Sequence, residues 1–157
     1  MKYYTVVECD HTQIIANKIF NFLKTQTNLL QVNCFGWNFI DRTAVLDHVP
    51  ELFEFFKNNR LVPRDVAVTI IKTDAHLPRH IDQLPVVAKM NFPVINTKGW
   101  ANRWYVDNKL VAELQDMSTP IVFNSQVEHS VEKTTAIKIP RIVASVTFYN
   151  EPLHLLQ

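Results

Sequence analysis

Apolar residues near the start of the chain recur with the period of an α-helix. From residue 12 to residue 24 they form one helical stripe, made of Ile14, Ile15, Ile19, Phe22 and Leu23. A second apolar run follows Pro50, a residue that helices tolerate in their first turn, and it predicts another amphipathic helix. Between the two runs, residues 33–45 are aromatic without a clear period and receive no assignment. We therefore expect residues 1–62 to be mainly helical.

From residue 65 onward the pattern changes to short runs that are rich in β-branched residues and are separated by turn-forming residues. These runs predict strands over residues 66–71, 86–95, 104–106, 110–114, 121–124, 127–133 and 139–149. Many short strands at this spacing favour a mostly β (α+β) protein, built as a double-sheet jelly roll or barrel with the N-terminal helices packed on one sheet. We expect a single domain over residues 1–157, with residues 1–62 as a helical support and residues 63–150 as the core.

The composition narrows the possible classes of function. With 47% hydrophobic and 20% charged residues, the 157-residue chain is typical of a soluble globular domain. Its net charge of +1 lacks the excess of positive charge that is typical of proteins that bind nucleic acids or membrane surfaces in general. Cys9 and Cys34 are too few for a disulfide scaffold and are expected to be small buried side chains. No stretch approaches the ~20 apolar residues of a membrane span and the N-terminus lacks the pattern of a signal peptide, so we expect a cytoplasmic protein.

The segment with the richest chemistry is His80-Ile81-Asp82, which is followed 47 residues after Asp82 by His129. In an extended segment, residues i and i+2 point to the same face, so His80 and Asp82 can reach one ion together. His129 shares a predicted strand face with two valines, where a buried imidazole needs a hydrogen bond or a metal. Two imidazoles and one carboxylate are the ligand set that holds a ferrous ion and leaves its opposite face open. The alternative is an ordinary loop pair and a hydrogen-bonded core histidine.

Three polar side chains near this ligand set are candidates for binding an anion. Arg141 follows His129 by 12 residues, and a guanidinium matches a carboxylate with paired donors. On the strand after the His-x-Asp pair, Lys89 and Asn91 share one face, whereas their neighbours on the other face are apolar. The alternatives are a surface ion pair for Arg141 and a solvent-exposed face for Lys89 and Asn91.

These residues resemble the 2-oxoglutarate- and Fe(II)-dependent oxygenase superfamily, whose double-stranded β-helix (jelly-roll, cupin-like) core carries a His-x-Asp/Glu…His motif. Within it, the chain looks most like the aspartyl/asparaginyl β-hydroxylase-like and phage-type members. Their Phe-Asp-Asp-Ser-Phe-Glu-His-Glu-Val motif is matched at Phe123, Glu128, His129 and Val131, and their Arg-x-Val-Leu-x-Val strand is similar to the strand that begins at Arg141. The resemblance covers residues 66–149. The mammalian aspartyl hydroxylases lack the carboxylate ligand that Asp82 supplies here, so their substrate is not carried over.

The resemblance implies a site for Fe(II), with 2-oxoglutarate and O2 as co-substrates. The implied metal ligands are His80, Asp82 and His129. Arg141 would bind the distal carboxylate of 2-oxoglutarate, and Asn91 and Lys89 would add contacts to the same co-substrate. The implied reaction couples oxidative decarboxylation of 2-oxoglutarate to succinate with hydroxylation of an unidentified small molecule, amino acid or protein side chain.

Two other functions stay open at this point. The same ligands would serve a cupin-like metal-binding or sensor module without turnover, although such a module has no need for Arg141. A nucleic-acid-modifying oxygenase would need a local basic groove, for which the candidates are Arg79, Lys89, Lys98 and Arg103. An aromatic wall that shields the metal is expected among Trp100, Trp104 and Tyr105. Substrate recognition is expected from residues 30–48 and from the loops around 72–79 and 97–109, and the oligomeric state is left open.

Overall fold

The computed structural model describes residues 1–26, 28, 31 and 35–157. In chain order the elements are β1 (Tyr4–Val6), α1 (Thr12–Lys24), β2 (Phe35–Ile40), α2 (Arg42–His48), α3 (Pro50–Asn58), β3 (Pro63–Ile71), β4 (Leu77–His80), β5 (Ala88–Ile95), β6 (Trp100–Val106), β7 (Lys109–Gln115), β8 (Ile121–Asn124), β9 (Glu128–Lys133), β10 (Arg141–Phe148) and a terminal 3-10 helix (Leu153–Leu156). The prediction of a mostly β protein with N-terminal helices is confirmed. No helix in the described part of the chain is long and apolar enough to cross a membrane.

The strands form two antiparallel sheets that pack face to face. The larger sheet has the order β1-β8-β5-β10-β3-β2, and the smaller one has the order β4-β9-β6-β7. From β3 to β10 the chain passes back and forth between the sheets, except at the β6–β7 hairpin, as in a jelly roll. Part of the space between the sheets is packed with apolar side chains, and this inner core includes Trp104 from the smaller sheet and Phe123 and Val143 from the larger one.

A second apolar core lies on the other face of the six-stranded sheet. Ile19 and Leu23 of α1 and Phe56 of α3 are fully buried there, in one cluster with Met90 and Phe92 of β5. Because successive strand residues point to opposite faces, the neighbours of Met90 and Phe92 on β5 face the interior between the sheets. The helices therefore cover one face of this sheet and leave its other face for the site.

The segment that the sequence left unassigned contains a strand and a helix. The strand β2 pairs with β3, and α2 begins after Asp41, whose side chain accepts a 2.8 Å hydrogen bond from the backbone N–H of Ala44. Residues 1–62 thus contribute β1 and β2 to the larger sheet in addition to three helices. The aromatic side chains of β2 point to its more exposed face, whereas apolar side chains of a strand usually point to the buried face. The expected alternation of buried apolar and exposed polar residues is therefore absent from this segment.

Other boundaries differ from the prediction in smaller ways. The short strand β4 was not predicted, β6 begins at Trp100 rather than at residue 104, and β10 begins at Arg141 rather than at residue 139. Cys9 is a free, half-buried thiol that packs against the helical core, and Cys34 lies outside the described residues.

Candidate metal centre

His80, Asp82 and His129 come together between the two sheets. His80 ends β4 and pairs across the sheet with His129 on β9, while Asp82 lies in the loop that follows β4. One ligand atom from each of the three residues lies within 4.8 Å of the other two. Asp82 Oδ1 is 3.4 Å from His80 Nε2 and 3.9 Å from His129 Nε2. The three donors therefore converge on one point.

Backbone carbonyls orient both imidazoles. His80 Nδ1 donates to the carbonyl of Pro78 at 2.8 Å, and His129 Nδ1 donates to the carbonyl of Val127 at 2.7 Å. With Nδ1 used in this way, Nε2 of each ring points towards Asp82 and is the nitrogen that could bind a metal. Metal-binding histidines are typically oriented by such a hydrogen bond on the other ring nitrogen. The arrangement fits a divalent metal ion bound through the two Nε2 atoms and the carboxylate.

The loop that carries Asp82 is anchored to the turn between β8 and β9. The Asp82 backbone N–H donates to the carbonyl of Ser125 at 3.0 Å. The Gln126 side chain donates to the carbonyls of Asp82 at 3.0 Å and of Val86 at 2.7 Å. Sequence reasoning did not identify Gln126, because nothing in its local pattern distinguishes an anchoring amide from a turn residue.

The electrostatics of the cluster favour the protonation states that a metal requires at Asp82 and His129, and oppose the one that it requires at His80. Burial alone would raise the pKa of Asp82, but the hydrogen bond from His80 and the charge of Lys89 outweigh it and lower the pKa to about 2. Burial lowers the pKa of His129 to about 4, whereas the hydrogen bond to Asp82 raises the pKa of His80. At neutral pH Asp82 is therefore a carboxylate and His129 is neutral, as metal ligation needs.

Lys89 lies beside the metal-binding carboxylate. Its Nζ is 2.5 Å from Asp82 Oδ2 and 5.8 Å from the centre of the Phe123 ring. This contact leaves Oδ1 as the oxygen that faces the two histidines. Lys89 and Asn91 both point inward on β5, on the face that the sequence assigned to them. The role of Lys89 in co-substrate binding stays a prediction.

Arg141 is a buried cation at the start of β10, and its side chain is 1% exposed. Its Nη2 donates to Asn102 Oδ1 at 3.1 Å, while its Nε has no hydrogen-bond partner among the described residues. Burial lowers the pKa of Arg141 to about 10. No acidic side chain in the described part of the chain forms an ion pair with it. Because an unpaired buried charge is costly, this guanidinium indicates a site for an anion.

One cavity of about 390 Å³ contains both Arg141 and the three candidate ligands. Its polar lining is connected by hydrogen bonds, since Ser145 Oγ donates to Asn91 Oδ1 at 2.7 Å and lies 3.2 Å from Thr69 Oγ1. Trp104 forms part of the wall, and its buried indole N–H has no hydrogen-bond partner in the part of the chain that the structure describes. The cavity thus combines a buried cation with a candidate metal site that is more exposed to solvent. A small dicarboxylate could place one anionic group at each of them.

Two of the three aromatic residues expected in the wall lie elsewhere. Trp100 packs with Ile71 and Val131 in a separate apolar cluster. Tyr105 is on the opposite face of β6, where the Arg79 guanidinium lies 3.6 Å from the centre of its ring. Alternation along β6 puts Tyr105 on the other face, whereas Trp100 shares the face of Trp104 but lies four residues away, at the start of the strand. Of the three, Trp104 lines the cavity, and Phe123 from the larger sheet joins it there.

Two of the four cations considered for a basic patch are paired with acidic side chains. Arg103 is paired with both Glu113 and Glu132, at 2.6 Å in each case. Lys89 is inside the cavity and paired with Asp82. With these two charges neutralised, the structure offers no support for the nucleic-acid groove considered from the sequence.

The outer part of the cavity is lined by Phe35, Trp37 and Phe39 of β2. Sequence reasoning missed these residues as site residues, although it expected recognition from residues 30–48. Their spacing is i, i+2, i+4, the period of a strand, and this was the available signal.

No protein-family model and no curated protein matches the sequence. Solved structures do share its fold. A prolyl-4-hydroxylase from Pseudomonas putida is 12% identical with a TM-score of 0.57, and the match covers 94% of this chain and 92% of that one. A viral collagen prolyl hydroxylase from Paramecium bursaria Chlorella virus-1, solved as a 2-oxoglutarate complex, is 15% identical with a TM-score of 0.57 and coverage of 92% and 94%.

A prolyl hydroxylase from Trichoplax adhaerens, in complex with a peptide fragment of the hypoxia inducible factor oxygen degradation domain, is 12% identical. Its TM-score is 0.60, and the match covers 96% of this chain and 84% of that chain. At these identities the similarity establishes the fold alone: the chain has the double-sheet architecture of these hydroxylases.

Proposed function

We propose that the protein is an Fe(II)- and 2-oxoglutarate-dependent dioxygenase that hydroxylates a small molecule, an amino acid or a protein side chain. The observation that carries this proposal is the single cavity lined by both a His-Asp-His cluster and a buried arginine, which has no acidic partner among the described residues. A metal held by the cluster could bind the keto-acid end of 2-oxoglutarate, and the arginine could bind the carboxylate at its other end. When bound, iron and 2-oxoglutarate supply the oxidising chemistry, and the protein supplies binding and orientation.

The chain's own residues have separate tasks in this proposal. His80, Asp82 and His129 hold the metal, and Lys89 orients Asp82 by binding its second oxygen. Arg141 binds the distal carboxylate of the co-substrate through its free guanidinium edge, because paired N–H donors match a carboxylate. Asn91 and Ser145 add polar contacts along the cavity, while Trp104 and Phe123 exclude water from its wall. A ferrous site suits reducing surroundings, so we retain the cytoplasm as the expected compartment.

The fold supports the reaction class, because the similar structures include a hydroxylase solved with 2-oxoglutarate. The finer assignment rests on the sequence. The motif around His129 and the strand from Arg141 resemble the aspartyl/asparaginyl β-hydroxylase-like and phage-type members, and we keep that relationship as part of the proposal.

The decisive experiment measures binding of Mn(II) and 2-oxoglutarate without oxygen, by calorimetry, to the wild type and to Arg141→Met. We expect wild type to bind 2-oxoglutarate only with Mn(II), and Arg141→Met to keep Mn(II) but to bind 2-oxoglutarate roughly 100-fold more weakly, since it loses a buried charge pair. Without ligand, Arg141→Met should be as stable as wild type or up to about 2 kcal/mol more stable, because an unpaired buried cation is removed.

The matched control is Arg103→Met, which removes a guanidinium on the outer face of β6 and should leave 2-oxoglutarate binding unchanged. Aerobic assays with Fe(II) and ascorbate should then show succinate formation by wild type. Equal 2-oxoglutarate binding by wild type and Arg141→Met would contradict the proposal. Metal binding without any 2-oxoglutarate binding would favour the cupin-like sensor module instead.

A further inference from the structure

Three large aromatic side chains on β2 are open to solvent beside the candidate metal centre. Phe35, Trp37 and Phe39 are 44%, 50% and 59% exposed, and we call them the aromatic strip. Trp37 and Phe39 are in edge-to-face contact, with ring centres 4.3 Å apart. A contiguous patch of exposed aromatic side chains is typical of a surface that binds a ligand or another protein.

The strip is part of the inner face of the six-stranded sheet. Trp37 pairs with Thr69 of β3, and Thr69 lines the cavity between the sheets. Directly paired residues of antiparallel strands lie on the same face, so the strip continues the cavity wall outward. In the described part of the chain β2 is the last strand of its sheet, and the smaller sheet does not cover it.

The depression over the strip is elongated. The cavity with the candidate ligands and a second groove of about 420 Å³ share Phe39, Arg64 and Asp65 in their linings. The second groove continues to Arg42 and Tyr149. From the first to the third residue of the strip, β2 alone spans about 13 Å. A small metabolite would occupy only the inner end, whereas an extended chain can follow the whole depression.

The charges along the outer part of the depression do not favour a strongly anionic polymer. Arg42 and Arg64 are balanced by Asp41 and Asp65, and the Arg64 Nε is 2.9 Å from Asp65 Oδ2. A nucleic-acid backbone would need an excess of positive charge here. A surface of aromatic rings with a balanced polar rim instead suits a peptide with apolar or aromatic side chains, because rings bury large apolar areas while the rim can bind polar main-chain groups.

We propose that the substrate is an extended peptide segment that docks an apolar or aromatic side chain on the aromatic strip and so brings its reacting residue to the metal centre. The inference rests on the proposed function and narrows its substrate class. The strip binds and positions the peptide at the exposed part of the cavity, whereas His80, Asp82, His129 and Arg141 are the proposed ligands of the metal and the co-substrate.

The test uses the full chain, loaded without oxygen with Mn(II) and 2-oxoglutarate, and a displayed library of random peptides of 12 residues. Selection is carried out on wild type, on the double variant Trp37→Ser/Phe39→Ser and on Leu110→Ser/Val111→Ser. The last variant is the matched control, since it also removes two exposed apolar side chains, but from β7, outside the cavity. Thermal unfolding and calorimetry with 2-oxoglutarate verify that each variant is folded and loaded.

We expect wild type and the β7 control to select peptides rich in apolar and aromatic residues, and expect the strip variant to bind these peptides roughly tenfold or more weakly. Selected peptides should also increase succinate formation by wild type. Equal affinity for the strip variant, or no selection while 2-oxoglutarate binds normally, would overturn the proposal. So would strip-dependent binding of a labelled 20-nucleotide single-stranded DNA, or strip-dependent dimerisation in sedimentation.

Failure of the proposed function would have a different signature. In that case wild type would not bind 2-oxoglutarate in the presence of Mn(II), although peptide docking on the strip could still be measured. The selection detects binding rather than turnover, so it tests the strip whichever reaction the centre performs.

Discussion

His80 and His129 carry the same ring in different surroundings. His129 is buried on β9, and the loss of solvation lowers its pKa to about 4. His80 is more exposed at the end of β4, and its hydrogen bond to Asp82 raises its pKa. Near neutral pH His129 is thus ready to bind a metal, while on His80 the metal competes with a proton.

This difference predicts how metal binding depends on pH. Because the pKa of His80 lies above its ordinary 6.5, Mn(II) affinity should begin to decline at a higher pH than it would for a histidine with the ordinary pKa. Below that pKa the decline should reach about tenfold per pH unit, with one proton released per ion bound. His129 stays neutral over this range and adds nothing. Calorimetry at pH 8, 7 and 6 in two buffers counts the protons, and a constant affinity with no proton release would contradict the prediction.

At the scale of single elements, the two faces of β5 have different tasks. Alternate side chains of this strand point either to the helical core or to the cavity. Met90 and Phe92 face the helices and are fully buried, and Phe92 meets Phe55 edge to face with ring centres 5.9 Å apart. Lys89 and Asn91 face the cavity. A shift of one residue in the pairing of β5 would turn the apolar side chains to the cavity and the polar ones to the core. Burial of the apolar face therefore fixes the register that places Lys89 and Asn91 at the cavity.

Substitutions at two adjacent positions of β5 should therefore affect different properties, one mainly the stability and the other mainly ligand binding. Phe92→Ala should lower the free energy of unfolding by about 3–5 kcal/mol, because it leaves a cavity in the core. Asn91→Ala removes one hydrogen-bond partner of Ser145 and should cost about 1 kcal/mol, but it should weaken 2-oxoglutarate binding roughly tenfold. Urea unfolding and calorimetry measure the two quantities, and a larger stability loss for Asn91→Ala than for Phe92→Ala would refute this division.

For the whole molecule, the candidate site lies where the two sheets face each other. His80 and His129 belong to strands of the smaller sheet, whereas Lys89, Arg141 and Ser145 belong to strands of the larger one. A metal-bound dicarboxylate would contact both sheets at once. Ligand binding should therefore stabilise the packing of one sheet on the other.

Thermal unfolding tests this coupling. Mn(II) at 100 times its dissociation constant should add about 2.7 kcal/mol to the free energy of unfolding, and 2-oxoglutarate at the same excess should add a similar amount only when Mn(II) is present. Arg141→Met is the control, since it should keep the Mn(II) increment and lose the other. Stabilisation by 2-oxoglutarate alone, equal to that with the metal, would contradict a shared site.

Local patterns in the sequence determined much of the fold. The helix α1 has the predicted bounds because its apolar stripe repeats within a few residues. The strands β3, β5 and β7 to β10 were found from short apolar runs, and the faces of Lys89 and Asn91 followed from alternation. The sequence also singled out His80, Asp82, His129 and Arg141, which the structure brings to one cavity, although their roles remain predictions.

Only the tertiary structure decided which side chains complete that cavity. Trp104 lines it while Trp100 and Tyr105 do not, and Gln126 and Asn102 hold parts of it although no pattern identified them. The aromatic strip lies on the edge strand of the larger sheet, and its side chains are exposed there. The physical reason is that periodicity specifies a face within one element, whereas distances between elements depend on strand register and on which strand lies at the edge of a sheet.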